Sequence, residues 1–172
     1  MAGSKGKVCL ATILAFLLEQ IVVAFLGDVG QDEDFTEVEK KGKILLSTMI
    51  IADLKREFVE DLLWKAVGCN AIYEDQYLLG TSLARPVLAK AMMKAADEEG
   101  CDFVAHGCTG KGNDQVRFEL AFYTINPTIK VIAPWRDPTF FNRFRGRNDL
   151  LDYAAEKGIP VTSTKAKPYS ME

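Results

Sequence analysis

Cys101-Asp102-Phe103-Val104-Ala105-His106-Gly107-Cys108-Thr109-Gly110-Lys111-Gly112-Asn113-Asp114-Gln115-Val116 is the stretch on which the fold turns. The apolar run Cys101 to Ala105 reads as a strand. His106 to Gly112 then forms a glycine-rich turn, and Asn113 or Asp114 begins a helix carrying Val116 and Leu120. Glycines let backbone N–H groups approach a phosphate closely, and a helix N-terminus adds a favourable dipole. The turn is not a Walker A loop, because only Cys108 and Thr109 separate Gly107 from Gly110-Lys111 where that motif needs four residues. On residues alone, a tight turn without a ligand competes evenly with nucleotide binding.

Working outward, helices and strands alternate. Upstream, Ser82 to Glu99 reads as a helix with Pro86 in its first turn and Gly100 as its stop. Before it, the strand Met49 to Ala52 leads to a helix capped by Asp53, with Leu54, Phe58, Val59, Leu62, Leu63 and Val67 at helical spacing and Gly68 at its end. Downstream come a strand at Ile129 to Ala133, a helix from Asn148 to Lys157 closed by Gly158, and a last strand at Ile159 to Val161. Near the N-terminus the reading is a strand at Lys7 to Leu10, a helix at Thr12 to Gln20 and a strand at Ile21 to Leu26. Lys40 to Ser47 has no clear pattern. Such alternation predicts an α/β fold, a parallel sheet with helices on both faces. Ligands of such sheets sit beyond the carboxyl ends of the strands, which again selects His106 to Asp114.

The apolar run Val8 to Leu26, preceded by Lys5 and Lys7, also resembles a signal peptide or membrane anchor. Glu19 and Gln20 in its middle argue against this, since a charge in hydrocarbon is costly. The folded strand-helix-strand reading lacks only a turn between its first two elements. The chain of 172 residues is long enough for one domain with a real core, and its 48% hydrophobic and 26% charged residues are those of a globular protein. A net charge of -3 with pI near 5.3 offers no basic field for nucleic acid. Cys9, Cys69, Cys101 and Cys108 are widely spaced, and His106 is the only histidine, so reduced thiols and no metal site are expected. No membrane association is expected, and a cytoplasmic location follows.

Gly107-Cys108-Thr109-Gly110-Lys111-Gly112-Asn113-Asp114-Gln115-Val116-Arg117-Phe118 resembles the second signature of argininosuccinate synthases, G-x-T-x-K-G-N-D-x-x-R-F, at every fixed position. Tyr73-Glu74-Asp75-Gln76-Tyr77-Leu78-Leu79-Gly80-Thr81-Ser82-Leu83-Ala84-Arg85-Pro86 resembles the family's substrate segment, and Lys130 to Arg136 and Val23 to Gln31 match in turn. The resemblance implies a Rossmann-like adenine-nucleotide-binding domain of the PP-loop ATP pyrophosphatase type, incomplete here. It also implies a ligase of arginine biosynthesis and the urea cycle, joining citrulline to aspartate as ATP, with Mg²⁺, is cleaved to AMP and pyrophosphate. By the same resemblance, Gly27 and His106, Gly107, Cys108, Thr109, Gly110, Lys111, Gly112 and Asn113 would line the ATP site. Tyr77, Ser82, Asn113 and Arg117 would hold citrulline, and Thr109, Asn113 and Asp114 would hold aspartate. No catalytic group is assigned. Residues 1–166 would be the nucleotide-binding domain and 167–172 the start of a linker, with the second domain and most of the family's homotetramer interface lying beyond.

These residue types suit the chemistry. Arg117 can grip a carboxylate in a bidentate fork, Asp114 can receive an α-ammonium, and Thr109 and Asn113 can bond either end of an amino acid. Blander readings stand beside these: an Arg117–Asp114 surface ion pair, a partly buried Tyr77, Ser82 as a helix cap, and His106 as a loop hydrogen-bonding residue.

The chain departs from the family most clearly after its first strand. Relatives carry S-G-G-L-D-T-S there as a phosphate loop, whereas Leu10-Ala11 here runs straight into Thr12-Ile13-Leu14. Gln20-Ile21 and Gly42 to Thr48 depart as well. Charge-assisted hydrogen bonds are worth roughly 1.5 to 3 kcal/mol each, so losing three phosphate contacts costs about 5 to 9 kcal/mol, and micromolar affinity is only about 8 kcal/mol. Negligible ATP binding is therefore expected. The alternatives are a non-catalytic isoform or interaction module that pairs with full-length subunits, and a product without function.

Overall fold

A computed structural model describes residues 7–10, 21–45 and 48–159. The chain divides into two units, Met1–Ala133 and Pro134–Glu172. The first is built on a five-stranded sheet of order β3-β2-β1-β4-β5, formed by β1 (Lys7–Leu10), β2 (Ile21–Asp28), β3 (Thr48–Asp53), β4 (Phe103–Ala105) and β5 (Lys130–Ile132). Every pairing is parallel, as expected from the alternation of strands and helices. Cys9 pairs with Val23 on one side and Val104 on the other, and all three are fully buried at the sheet's centre. The strand order reverses between β1 and β4. Crevices that take ligands open at such a switch point, so the carboxyl ends of β1 and β4, where Leu10 and Ala105 are register partners, mark the candidate site.

The core forms where α4 (Gly80–Glu98) lies on the sheet. Its buried Val87, Ala89, Met92, Met93, Ala95 and Ala96 join Phe25 of β2, Val104 of β4 and Phe122 of α5 (Asn113–Ile125). Burying a side chain as large as Phe122 or Met92 contributes about 1.5 to 3 kcal/mol, and the alanines let the helix approach closely. The helix closes at Gly100 (φ +63), with Cys101 N–H donating to Ala96 O at 2.7 Å. That bond draws Cys101 into the helix cap, so β4 starts at Phe103 and not at Cys101.

Several expectations are corrected. Helix α4 begins at Gly80, two residues before Ser82, so Pro86 is its seventh residue and lies beyond the first turn. Ser82 is accordingly inside the helix and does not cap it. Lys40 to Ser47, which lacks a pattern in sequence, belongs largely to α1 (Phe35–Leu45). Asp34 starts that helix by accepting from Thr36 N–H and Glu37 N–H at 3.0 and 3.2 Å. Gly42 sits where a Cβ would collide with the Met49 side chain, so the helix backbone approaches β3 closely at this point.

The helical stretch after β3 is divided into α2 (Lys55–Glu57), a π-helical segment (Phe58–Leu63) and α3 (Trp64–Gly68). Leu54 and Phe58 are buried as expected, but Val59 is exposed and Val67 is 72% exposed. The wider π turn rotates later side chains off the face set by Leu54 and Phe58. On α5 the inward side chains are Phe118, Glu119, Ala121 and Phe122, while Val116 and Leu120 lie on the opposite face, Leu120 63% exposed. Apolar residues spaced by four define a face, and here the wrong face was the more conspicuous one. The helix expected at Thr12 to Gln20, and Pro160 and Val161 of the last expected strand, lie outside the described residues. Among the described residues, no helix is long and apolar enough to cross a membrane.

The second unit holds a 3₁₀ turn (Pro134–Arg136), α6 (Pro138–Arg143) and α7 (Arg147–Glu156). Asp137 caps α6 by accepting from Thr139 N–H at 2.8 Å, and Gly158 (φ +66) follows α7 as expected. Its rings meet in a chain: Trp135 edge-on to Phe140 (5.2 Å), Phe140 tilted against Phe144 (4.9 Å) and Phe144 edge-on to Tyr153 (5.4 Å). The Arg143 guanidinium caps both Phe144 and Tyr153 at 5.0 and 4.9 Å.

Candidate functional site

The glycine-rich turn leaves the end of β4 as a continuation of the sheet, His106 N–H donating to Ile132 O at 3.2 Å. His106 is 1% exposed, so its ring lies beneath the turn and not on its open side. Its Nε2 is 2.9 Å from Glu119 Oε1, Cys108 N–H points at its Nδ1 at 3.4 Å, and its face lies along Phe118. The turn closes with Gly112 N–H donating to Thr109 O at 3.3 Å. A Cβ at Gly112 would stand 2.8 Å from Thr109 Oγ1, so a side chain here would require the threonine hydroxyl to turn aside. Thr109, Lys111 and Asn113 are exposed, and Gly107, Cys108 and Gly110 are half-buried. Gly112 is also the N-cap of α5 and has no side chain with which to cap it. Burial, then the negative charge of Asp114, pushes the Cys108 thiol up to about 11, which keeps it protonated and poorly nucleophilic.

Beside the turn, the starts of α4 and α5 meet in a cluster of polar side chains. Asp114 accepts from Arg117 at 2.9 Å through Oδ1 and from Arg85 at 3.0 Å through Oδ2. Partial burial pushes the Asp114 carboxyl up, but the bonds and charges of Arg85 and then Arg117 outweigh it and hold the group below the usual aspartate value. Tyr77 adjoins the same cluster. The hydroxyls of Thr81 and Ser82 beside it, and the charge of Arg117, bring its phenol below the ordinary tyrosine value. Those approaches do not satisfy Ser82, whose buried Oγ has no hydrogen-bond partner, and Arg85 Nε is likewise buried and unpartnered. Pro86 has no N–H, so the Ser82 carbonyl also lacks its intrahelical donor. Buried polar groups left this way are uncommon, and here the two residues stand about one turn apart on α4.

Local backbone strain shapes the approach to this cluster. Tyr73 and Tyr77 pair across a tight turn whose Glu74 and Asp75 both have left-handed φ, and Leu79 (φ +61) immediately precedes α4. A left-handed leucine is costly and persists only where its surroundings impose it. Gly27, at the end of β2, is buried, and a Cβ there would collide with Leu88 and lie 2.9 Å from Leu54 Cδ1. Its carbonyl accepts from Gln31 Nε2 at 3.0 Å. Next to it, a bond from Lys55 Nζ to Asp28 Oδ2 at 2.6 Å holds the Asp28 carboxyl below its ordinary value.

The structure thus brings Tyr77, Ser82, Asp114 and Arg117 together beside the turn that carries Thr109 to Asn113. Gly27 is described by contacts to Leu54, Leu88 and Gln31 and has a packing role at the β2 terminus. Arg85 and Glu119 were not singled out in the sequence, although both lie in or beside the quoted motifs. The spacing of Ser82 and Arg85 by three residues on one helix face was the available signal. None of the four cysteines is in a disulfide. Among the described residues, no group of three or more metal-ligating side chains comes together.

A family model described as "Arginosuccinate synthase N-terminal HUP domain" matches residues 2–160. The argininosuccinate synthase of Saccharomyces cerevisiae is 58% identical over 180 aligned positions, which cover 98% of this chain and 43% of the relative. That of Homo sapiens is 52% identical over 181 positions, covering 99% and 44%, and that of Schizosaccharomyces pombe 52% over 171, covering 98% and 42%. The chain spans less than half the length of these relatives. The first two alignments are longer than the 172 residues of the chain, so those relatives carry residues within the matched region that this chain lacks.

Proposed function

We propose a function from one premise: the chain belongs to the argininosuccinate synthase family. The parallel sheet is the Rossmann-like scaffold of that family's HUP domain. The proposed role is the nucleotide- and amino-acid-binding part of a ligase that joins citrulline to aspartate while ATP is split to AMP and pyrophosphate. The ureido oxygen of citrulline attacks the α-phosphorus, pyrophosphate leaves, and the aspartate amine then displaces AMP. The carrying observation is the convergence of Tyr77, Ser82, Arg85, Asp114 and Arg117 beside the glycine-rich turn, with two buried polar atoms unsatisfied among them.

In this reading, Arg117 and Ser82 receive the carboxylate end of citrulline, with Tyr77 and Asn113 at its flank. Thr109, Asn113 and Asp114 receive aspartate. Asp114 already neutralises two guanidiniums, so an incoming ammonium joins a charge network instead of meeting an isolated carboxylate. The turn from His106 to Asn113 lines the phosphates, with the N–H groups of His106, Cys108 and Gly112 already engaged in holding its shape and Gly27 at the edge of the site. Magnesium would enter with the triphosphate, as is usual for an ion that prefers phosphate and water to a protein cage. Residues 1–166 act as the nucleotide-binding domain and 167–172 lead out of it. The setting is cytoplasmic arginine synthesis, the urea cycle included, within a homotetramer.

The absent S-G-G-L-D-T-S loop sets a limit on this chain. It binds amino acids at the Arg117 cluster but holds ATP too weakly to turn over. Calorimetric titration of citrulline is the direct test. Binding in the millimolar range that weakens at least about tenfold in Arg117→Ala is expected, one charge-assisted bond being worth that much. Equal heats from the two chains would sink the reading.

A further inference from the structure

The turn from His106 to Gly112 is supported from below by two buried titratable groups, Glu119 and His106, 8% and 1% exposed. The proposed chemistry uses neither. Glu119 Oε1 and His106 Nε2 are 2.9 Å apart, and on the other side of the ring Nδ1 faces the N–H of Cys108 at 3.4 Å. A backbone N–H only donates, so the Nδ1 it points at has to be without a proton. An ionised carboxylate only accepts, so the Nε2 facing it has to carry one. The two neighbours therefore select one form of the ring, neutral with its proton on Nε2. A doubly protonated ring would set Nδ1–H against Cys108 N–H, and the other neutral tautomer would set a lone pair against the carboxylate.

We propose that Glu119 is a positioning residue: it fixes the Nε2–H tautomer of His106, whose Nδ1 then holds Cys108 and with it the conformation of the 106–112 turn. Carboxylate partners commonly orient imidazoles in this way where the ring must present a defined nitrogen. Phe118 flanks the imidazole in an offset, nearly parallel arrangement, its centroid 6.4 Å away with the planes 18° apart. Because Glu119 and Phe118 belong to α5, which begins where the turn ends, the helix that follows the turn also sets its geometry. His106 therefore acts beneath the site, and the turn presents backbone groups to a ligand. The effect on ligands rests on the proposed function above, but the tautomer does not.

The chain has one histidine, so long-range proton–nitrogen NMR of the imidazole is free of overlap. In the unaltered chain a protonated Nε2 and an unprotonated Nδ1 are expected. Glu119→Gln, whose amide oxygen still accepts, keeps that pattern. Glu119→Leu gives a mixture of tautomers and speeds amide exchange at Cys108 about tenfold or more. A proton on Nδ1 in the unaltered chain overturns the proposal, whether or not any variant folds. Unchanged tautomer and exchange in a folded Glu119→Leu chain overturns it as well. Adding aspartate while following the amides of Cys108 to Asp114 tests the other reading separately. If those amides do not move while the Nε2–H tautomer is intact, the ligand assignment fails and the tautomer lock stands.

Discussion

Arg85 on α4 and Asp114 on α5 meet at 3.0 Å, and the same carboxylate receives Arg117 from one turn further along α5 at 2.9 Å. One aspartate thus ties together the starts of two helices that the sequence separates by 29 positions. The side chains of all three are about one-third exposed, so the network is neither dry nor fully screened. Its plainest consequence is for proton binding.

Arg85→Ala should raise the Asp114 carboxyl toward its ordinary value, read as a shift in its ¹³C titration. In the folded chain this group titrates below its unfolded value, so its stabilisation is present above the ordinary aspartate range and is lost as pH falls through the lowered folded value. The variant should therefore lose stability near neutral pH, by about 1 kcal/mol for a partly exposed pair. The difference from the parent should shrink in acid. A constant difference from neutral pH to well below the aspartate range would argue against this account.

Two glycines should respond oppositely to alanine. A Cβ at Gly27 would meet Leu88 and Leu54 in the core, and Gly27→Ala should cost about 1 to 3 kcal/mol in urea unfolding. The lower end applies if the leucine methyls rotate aside. Gly68, at the end of α3, has nothing within 4 Å, and Gly68→Ala should stabilise by about 0.5 to 1 kcal/mol. Equal effects at both would mean that the β2 end is packed more loosely than described.

The thiols should differ in reactivity as their surroundings differ. Burial, with Cys101 and Glu99 nearby, pushes the Cys9 thiol up to about 12, while Cys69 is exposed. At pH 8 the Cys9 thiolate is therefore about one part in ten thousand. Alkylation followed by peptide mass spectrometry should find Cys69 modified first and Cys9 only on unfolding. Early labelling of Cys9 would show that the centre of the sheet opens readily.

The strand-turn-helix at 101–125 is legible in sequence because its signals agree: an apolar run, glycines where the backbone turns, and a polar start to the helix. Much of the candidate site follows from one motif for the same reason, since Thr109 to Arg117 are contiguous along one turn and one helix. The partners brought by packing are harder to read. Arg85 reaches Asp114 only because α4 lies beside α5, and Glu119 looks like a surface residue until Phe118 and Phe122 are known to point inward. Helix α1 escapes because Gly42, a poor helix former, interrupts its middle, and the exposed Val67 is misread because a π turn changes the period midway.

The sharpest expectation concerns the phosphate loop that the family resemblance implies after the first strand. Leu10 is the register partner of Ala105, so the carboxyl end of β1 lies beside the strand end from which the His106 turn departs. A phosphate loop at that point would face the 106–112 turn across the switch between β1 and β4, the place where such sheets hold nucleotides. Inserting S-G-G-L-D-T-S with its flanking residue between Ala11 and Thr12 returns glycine N–H donors and hydroxyls to that position. ATP affinity in calorimetric titration should rise by at least about a hundredfold, two charge-assisted bonds being enough for that. Turnover, followed as pyrophosphate release with citrulline and aspartate present, should stay at background, because aligning the ureido oxygen on the α-phosphorus demands closer placement than ground-state binding does. Circular dichroism establishes first that both chains fold. Equal ATP affinity with and without the insertion would place the nucleotide site elsewhere.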